Sequence, residues 1–148
     1  MTTIDHDLEA RCAPEALWRL LSDLTAVDSY NAGISAARIR GTVSQGLGAM
    51  RECDLVPNGR VCERVTVWEP GCAVGLEIVE SDWPIRYMRW VTRIEPRSGG
   101  GSRLIQRLEY QVKYGPFGLI LDRLVMRRNI STAVGSALAG LVAQAEQA

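Results

Sequence analysis

Between Ser35 and Tyr114 apolar residues tend to recur at every second position and are interrupted by turn residues, which is the pattern of short half-buried strands. Six such runs can be drawn: Ala36 to Val43, Ala49 to Val56, Arg60 to Trp68, Cys72 to Glu80, Ile85 to Glu95 and Arg103 to Tyr114. Gln45-Gly46-Leu47-Gly48, Pro57-Asn58-Gly59, Glu69-Pro70-Gly71, Asp82-Trp83-Pro84 and Ser98 to Ser102 separate them. A seventh alternation, Ile4, His6, Leu8 and Ala10 against Asp5, Asp7, Glu9 and Arg11, opens the chain. It is followed by a short helix, with Pro14 preset for a first turn, Glu15 favourable there, and Leu17, Trp18, Leu20 and Leu21 as the apolar face. Leu24 to Tyr30 predicts a second helical turn. After Gly115-Pro116 the period becomes three to four: Ile130, Val134, Ala137, Leu138, Leu141 and Ala145 make one stripe on a single long helix running to Ala148. Phe117, Ile120, Leu121 and Leu124 fall on another side of it, which predicts a bend or a change of contact around Arg127 to Asn129. The order of elements predicts an α+β fold: an antiparallel sheet with one long helix across it and a pocket between the two.

The turn at Pro57-Asn58-Gly59 decides which residues face that pocket. Read as a three-residue loop with a glycine bulge, it sets Val56 opposite Arg60, Leu55 opposite Val61, Cys53 opposite Glu63 and Arg51 opposite Val65. Glu52 then opposes Arg64 on the solvent face, with Asp54 opposite Cys62, and Arg51, Cys53, Leu55, Val61, Glu63, Val65 and Val67 point inward. A two-residue Asn-Gly turn instead flips one strand and separates Arg51 from Glu63. With both inward, two roles stay open: a mutual salt bridge at a wet rim, or an anchor for a ligand carbonyl, hydroxyl or carboxylate. Further along, Met88, Trp90, Thr92 and Ile94, and then Leu104, Gln106, Leu108, Tyr110 and Val112, form the inner rows. Trp90, Gln106 and Tyr110 add hydrogen-bonding tips to an oily lining, as small-molecule pockets require.

Composition narrows the function. The 148 residues fit one domain, 1–148, and 17 basic against 17 acidic residues leave no net field for nucleic acid or an anionic membrane. Lys113 is the only lysine, so Schiff-base chemistry has one candidate. His6 is the only histidine and sits on an apolar side, where a buried, hydrogen-bonded structural role is expected. Cys12, Cys53, Cys62 and Cys72 lack metal-site spacing and predict free thiols. No metal or cofactor is expected. Gly46-Leu47-Gly48 precedes a strand and Gly99 to Gly101 lacks a following Lys-Ser or Lys-Thr, so neither predicts a nucleotide loop. The start Met1 to Asp7 lacks an apolar signal segment, and a cytoplasmic location without integral membrane association is the expectation.

The run Ala13-Pro14-Glu15-Ala16-Leu17-Trp18-Arg19-Leu20-Leu21-Ser22-Asp23, then Gly48 to Cys53, Glu63-Arg64-Val65, Trp68-Glu69-Pro70-Gly71 and Gly115-Pro116-Phe117-Gly118 resemble the polyketide cyclase/dehydrase group of the START and major-pollen-allergen superfamily. The resemblance covers essentially the whole chain. It implies a helix-grip fold, in which a seven-stranded antiparallel sheet, with two short helices after the first strand, wraps around a long C-terminal helix. It also implies a cavity for lipids, sterols, hormones or polyketides, entered past loops that correspond to Val56–Arg60 and Ser81–Ile85. A glutamate like Glu63 contacts ligand or water in some plant hormone receptors of similar fold. Their cavity lysine has no evident counterpart here, where Asn31 or its neighbours stand near that place.

The expected function is binding or carrying of a hydrophobic small molecule, with Arg51, Cys53, Glu63, Val65, Met88, Trp90, Gln106, Leu108 and Tyr110 as the candidate contacts. A polyketide cyclase or aromatase is the alternative: Arg51 would stabilise an enolate, Glu63 move a proton and Tyr110 donate one. A third class, a protein-interaction module, would show a filled core and a broad exposed apolar patch.

Overall fold

The computed structural model describes residues 1–147, leaving aside the side chains of Leu121, Arg123 and Leu124. β1 (Thr2–Ala10) is followed by α1 (Pro14–Leu21) and a short 3-10 turn, Val27–Ser29. Then come β2 (Ile34–Arg40), β3 (Met50–Leu55), β4 (Arg60–Glu69), β5 (Ala73–Ser81), β6 (Ile85–Pro96) and β7 (Ser102–Val112). The C-terminal segment consists of α2 (Gly115–Leu121), a π-helical turn (Asp122–Met126) and α3 (Arg127–Gln147). All seven strands share one antiparallel sheet in the order β1-β7-β6-β5-β4-β3-β2. The meander β2 to β7 thus has β1 added at its end, which leaves β1 and β2 as the edges. This is the helix-grip fold that the sequence predicts.

Alternation sorts the two faces. On β7, Ser102, Leu104, Gln106, Leu108, Tyr110 and Val112 are buried while Arg103, Arg107 and Gln111 are not. The outer face carries cross-strand ion pairs, among them Arg38 with Glu52 and Asp54, Arg89 with Glu109, and Arg103 with Asp7. All lie at the solvent surface, where water screens them, so each contributes little to stability. They serve mainly to keep this face wet and the strands in register.

Two details correct the sequence reading. The β3–β4 hairpin closes one residue early: the Leu55 N–H donates to the Gly59 carbonyl at 2.9 Å, and Asp54 rather than Val56 is opposite Arg60. The loop is therefore Val56-Pro57-Asn58, with Gly59 (φ 102) ending it in the left-handed region. Since the register slides by two, every side chain keeps its face but changes its partner. Arg51 is directly opposite Glu63, Cys53 opposite Val61 and Glu52 opposite Cys62. The second correction is a β-bulge between Val65 and Val67. Beyond it Val67 pairs with Gly75 on the outer face, and Trp68 turns in to meet Trp18 edge-on, ring centroids 5.2 Å apart.

The two ends of the inner face are packed and the middle is not. At one end Leu17 and Leu21 of α1 meet Val65, Val74, Ile94 and Leu104 of the sheet and Leu138, Leu141 and Ala145 of α3. At the other, Ile4, Ile85, Met88, Leu108, Tyr110 and Val112 cluster beneath Met126 and Ile130. A third cluster, Val27, Cys53, Leu55 and Val61, lies under the 3-10 turn. The predicted break in the long helix is present as the π-helical turn at 122–126, one step before the expected place. The faces expected for Leu121 and Leu124 fall outside the described side chains, and Ala148 lies outside the described residues.

Candidate functional site: a cavity with one buried ion pair

Between the packed ends lies a cavity of about 350 Å³, inside the range of about 300–1,000 Å³ usual for small-molecule sites. Leu76, Ile78, Met88, Trp90 and Leu108 of the sheet form its floor, and Ile130, Ala133, Val134, Ala137, Leu138 and Leu141 of α3 form its roof. Its exposed lining residues, Gly33, Trp83, Asn129 and Ala133, mark the mouth. Of the two loops that the resemblance places at the entrance, Ser81–Ile85 contributes Trp83 to the lining, whereas Val56–Arg60 supplies no lining residue, and Asn31 and Gly33 line the cavity as well.

The polar groups on this wall come from the β3–β4 register. Being opposite one another, Arg51 and Glu63 pair directly: Arg51 Nε donates to Glu63 Oε1 at 2.8 Å, and Nη1 donates to the Leu24 carbonyl at 3.1 Å. They are 5% and 4% exposed, so neither charge has bulk water. Burial works to lower the Arg51 pKa, but the Glu63 carboxylate holds it above its ordinary value, so the guanidinium stays charged. The Arg51 guanidinium also reaches the Tyr30 hydroxyl, while Glu63 Oε2 makes no hydrogen bond among the described residues, and both side chains line the cavity. Tyr30 joins them on the wall. Burial raises its pKa, partly countered by Arg51, so the hydroxyl stays protonated. Its position depends on Gly140 of α3, where a Cβ would come within 2.3 Å of the Tyr30 carbonyl oxygen. Across the floor Thr92 Oγ1 donates to Gln106 Oε1 at 2.8 Å, which turns the Gln106 amide nitrogen into the remaining donor.

Of the candidate contacts drawn from sequence, Arg51, Glu63, Met88, Trp90, Gln106 and Leu108 line the cavity. Cys53, Val65 and Tyr110 do not, because the inner face of the sheet is longer than the hollow. Cys53 is sealed beneath Val27, where burial pushes its thiol up to about 12. Val65 is covered by the packing that α1 brings. Tyr110 donates its hydroxyl to Asp122 Oδ1 on the π-helical turn, and Thr2 Oγ1 donates to Asp122 Oδ2 at 2.6 Å. Tyr30, Asn31, Trp83, Thr92 and Asn129 were not among the candidates. Thr92 carried a signal, its place in the inner row of β6, while the others sit in turns and at a helix start with no period to read. His6 is half-buried and bonds Ser131 O through Nε2 at 3.1 Å, near the structural role expected, although Nδ1 is buried without a partner among the described residues. All four cysteines are free, and no cluster suited to a metal ion exists among the described residues. No described helix is long and apolar enough to cross a membrane.

Solved structures of the same architecture are numerous. The chain is similar to the TTHA0849 protein of Thermus thermophilus, at 19% identity and TM-score 0.81 over 97% of both chains. It is also similar to norcoclaurine synthase of Thalictrum flavum in complex with dopamine and hydroxybenzaldehyde, at 16% identity and TM-score 0.72 over 95% of this chain and 84% of that one. Ara h 8.0201 aligns at 11% identity and TM-score 0.78 over 99% of both chains. At these identities the likeness speaks for the fold alone. No curated protein matches in sequence. The family model described as polyketide cyclase/dehydrase and lipid transport matches residues 1–146, and the chain belongs to that family.

Proposed function

We propose that this protein binds and carries a hydrophobic small molecule bearing one polar end, held in the cavity with that end against Arg51 and Glu63. The observation that carries the reading is the buried ion pair on the wall of an otherwise apolar hollow, with Glu63 Oε2 and part of the Arg51 donor capacity left unused among the described residues. An ion pair out of water is a poor stability device unless its remaining polar atoms are satisfied. A ligand hydroxyl, carbonyl or carboxylate supplies the missing partner, and the apolar floor and roof take the rest of the molecule. The cyclase alternative is weakened by the position of Tyr110, since the phenol drawn as its proton donor is bound to Asp122 outside the cavity.

The test is retention of a fluorescent fatty-acid analogue, together with native mass spectrometry of material carried through purification. Ala137 lines the cavity from α3, and Ala137→Phe fills the space. Binding should be lost in Ala137→Phe and weakened at least about tenfold in the double variant Arg51→Met/Glu63→Met, the cost of one charge-assisted hydrogen bond. Unchanged binding in both would overturn the reading. Recovery of an added polyketide in cyclised form, rather than intact, would favour the enzyme.

A further inference from the structure

Among its described side chains, α2 is built inside out. The buried positions described are Gly118 and, one turn on, Asp122 just past its end, the smallest residue and an acid. A Cβ on Gly118 would come within 2.0 Å of the Lys113 carbonyl oxygen, so this face of the helix lies flat against the end of β7. The Asp122 carboxylate is fixed from below by Tyr110 and Thr2. Three large apolar side chains of the helix point away from the protein: Phe117 is 71%, Leu119 59% and Ile120 58% exposed. A helix obeying the usual rule would bury these three and expose the acid. Three large apolar residues exposed within four positions amount to an interaction surface.

Charge indicates what covers it. Asp122 is the only acidic residue between Glu109 and Glu146, and it is buried with both oxygens engaged. In sequence the exposed cations Lys113, before the apolar residues, and Arg127 and Arg128, after them, bracket the segment. The whole chain is neutral, but this segment presents apolar side chains in a basic frame with no free acid, the pattern that places a helix in the interface of an anionic bilayer. The segment also adjoins the cavity mouth. The Lys113 N–H donates to the Pro84 carbonyl at 3.0 Å, which ties the start of α2 to the Trp83 loop, and Asn129 at the mouth follows shortly after the π-helical turn.

We infer that the α2 tip is a peripheral docking surface for an anionic lipid bilayer, with Phe117, Leu119 and Ile120 entering the interface and Lys113 and Arg128 contacting headgroups. Docking of this kind does not depend on what the cavity holds, so it stands or falls separately from the carrier function.

The experiment is co-sedimentation of the full chain with phosphatidylcholine vesicles, with and without phosphatidylserine, over a salt series. Wild type should pellet with the phosphatidylserine vesicles, less as salt rises, and weakly with phosphatidylcholine alone. Phe117→Ser/Ile120→Ser should lower the partition coefficient on both vesicle types by about tenfold or more. Lys113→Gln/Arg128→Gln should lower it on anionic vesicles alone, by about fivefold per charge removed. Because all four positions are exposed, circular dichroism should show each variant folded like wild type. Failure of wild type to pellet with anionic vesicles overturns the inference. So does an apolar variant that pellets normally while a wild-type dimer becomes a monomer in sedimentation velocity, which would assign the surface to a second copy of the chain.

Discussion

Two buried polar pairs lie beneath this sheet and are finished in opposite ways. Tyr110 and Asp122 form a closed set: the phenol donates to one carboxylate oxygen, Thr2 donates to the other, and Tyr110 is fully buried. Arg51 and Glu63 form an open set, equally deep, in which Oε2 has no partner among the described residues, the guanidinium meets only Leu24 and Tyr30 besides Glu63, and both side chains line the cavity. The difference follows from what lies above each. The π-helical turn sits on Tyr110 and supplies Asp122, whereas α3 passes over Arg51 with small and aliphatic residues, Ala133 and Ala137 among them, and leaves room. Depth alone therefore does not identify a binding group. What distinguishes the open pair is hydrogen-bonding capacity that the protein does not use.

The largest expected effect comes from breaking the open pair by halves. Arg51→Met leaves the Glu63 carboxylate buried without its partner, and urea unfolding should show a loss of about 3–5 kcal/mol. Removing both charges, in Arg51→Met/Glu63→Met, should restore stability to within about 1 kcal/mol of wild type, because two desolvated ions are replaced by apolar groups of similar size. A double variant as unstable as the single one would mean that the pair is structural rather than kept for a ligand.

Next in size is Asp122→Ala at the closed pair. It leaves the Tyr110 and Thr2 hydroxyls without an acceptor and should cost about 1.5–3 kcal/mol, as loss of hydrogen bonds to a charged group does. Retention of the fatty-acid probe should be unaffected, since Asp122 and Tyr110 are not on the cavity wall. Equal loss of stability and of probe binding would erase the distinction between the pairs.

The open pair was legible in the sequence and the closed one was not. Alternation along β3 and β4 is a local property, and it survives the slip in register because a shift of two keeps every residue on its face. Arg51 and Glu63 therefore point inward as alternation predicts, although the loop comes one residue earlier than the turn residues suggest. Tyr110 also points inward, but the residue that occupies it, Asp122, belongs to a helical segment whose outward face is apolar. Helical periodicity assigns faces by assuming that apolar side chains go in, and Phe117, Leu119 and Ile120 of α2 reverse that assumption. The same limit applies to Val67: a bulge changes the period at one point and nothing in the run Arg64 to Trp68 marks it. Cys53 and Val65 have the face expected of them, and whether a cavity or packed side chains lie over them depends on α1 and the 3-10 turn, elements far away in sequence.

The smallest effect, and the finest test of open against closed, is alkaline titration. Burial raises the pKa of Tyr110, and its hydrogen bond to the Asp122 carboxylate raises it further. Burial also raises that of Tyr30, but there the Arg51 charge pulls the other way. In both cases the folded pKa lies above the unfolded one, so the folded state keeps a proton that the unfolded chain releases. Stability is then fully present below the unfolded value of about 10 and declines as pH rises above it, by at most about 1.4 kcal/mol per pH unit for each group. Cys53, raised from 9.0 to about 12, begins the decline one unit earlier. Urea unfolding at successive alkaline pH values should show this slope beginning near 9 in wild type and shallower between 9 and 10 in Cys53→Ala, where Cys12, whose thiol burial also raises, still contributes. In Arg51→Met/Glu63→Met the charge that favours a Tyr30 phenolate is gone along with the carboxylate that opposes it; since Arg51 is the larger of the two influences, Tyr30 should titrate later than in wild type by ultraviolet difference absorbance. Tyr110 should titrate unchanged in that variant, because its shift is set by burial and by Asp122, both outside the open pair.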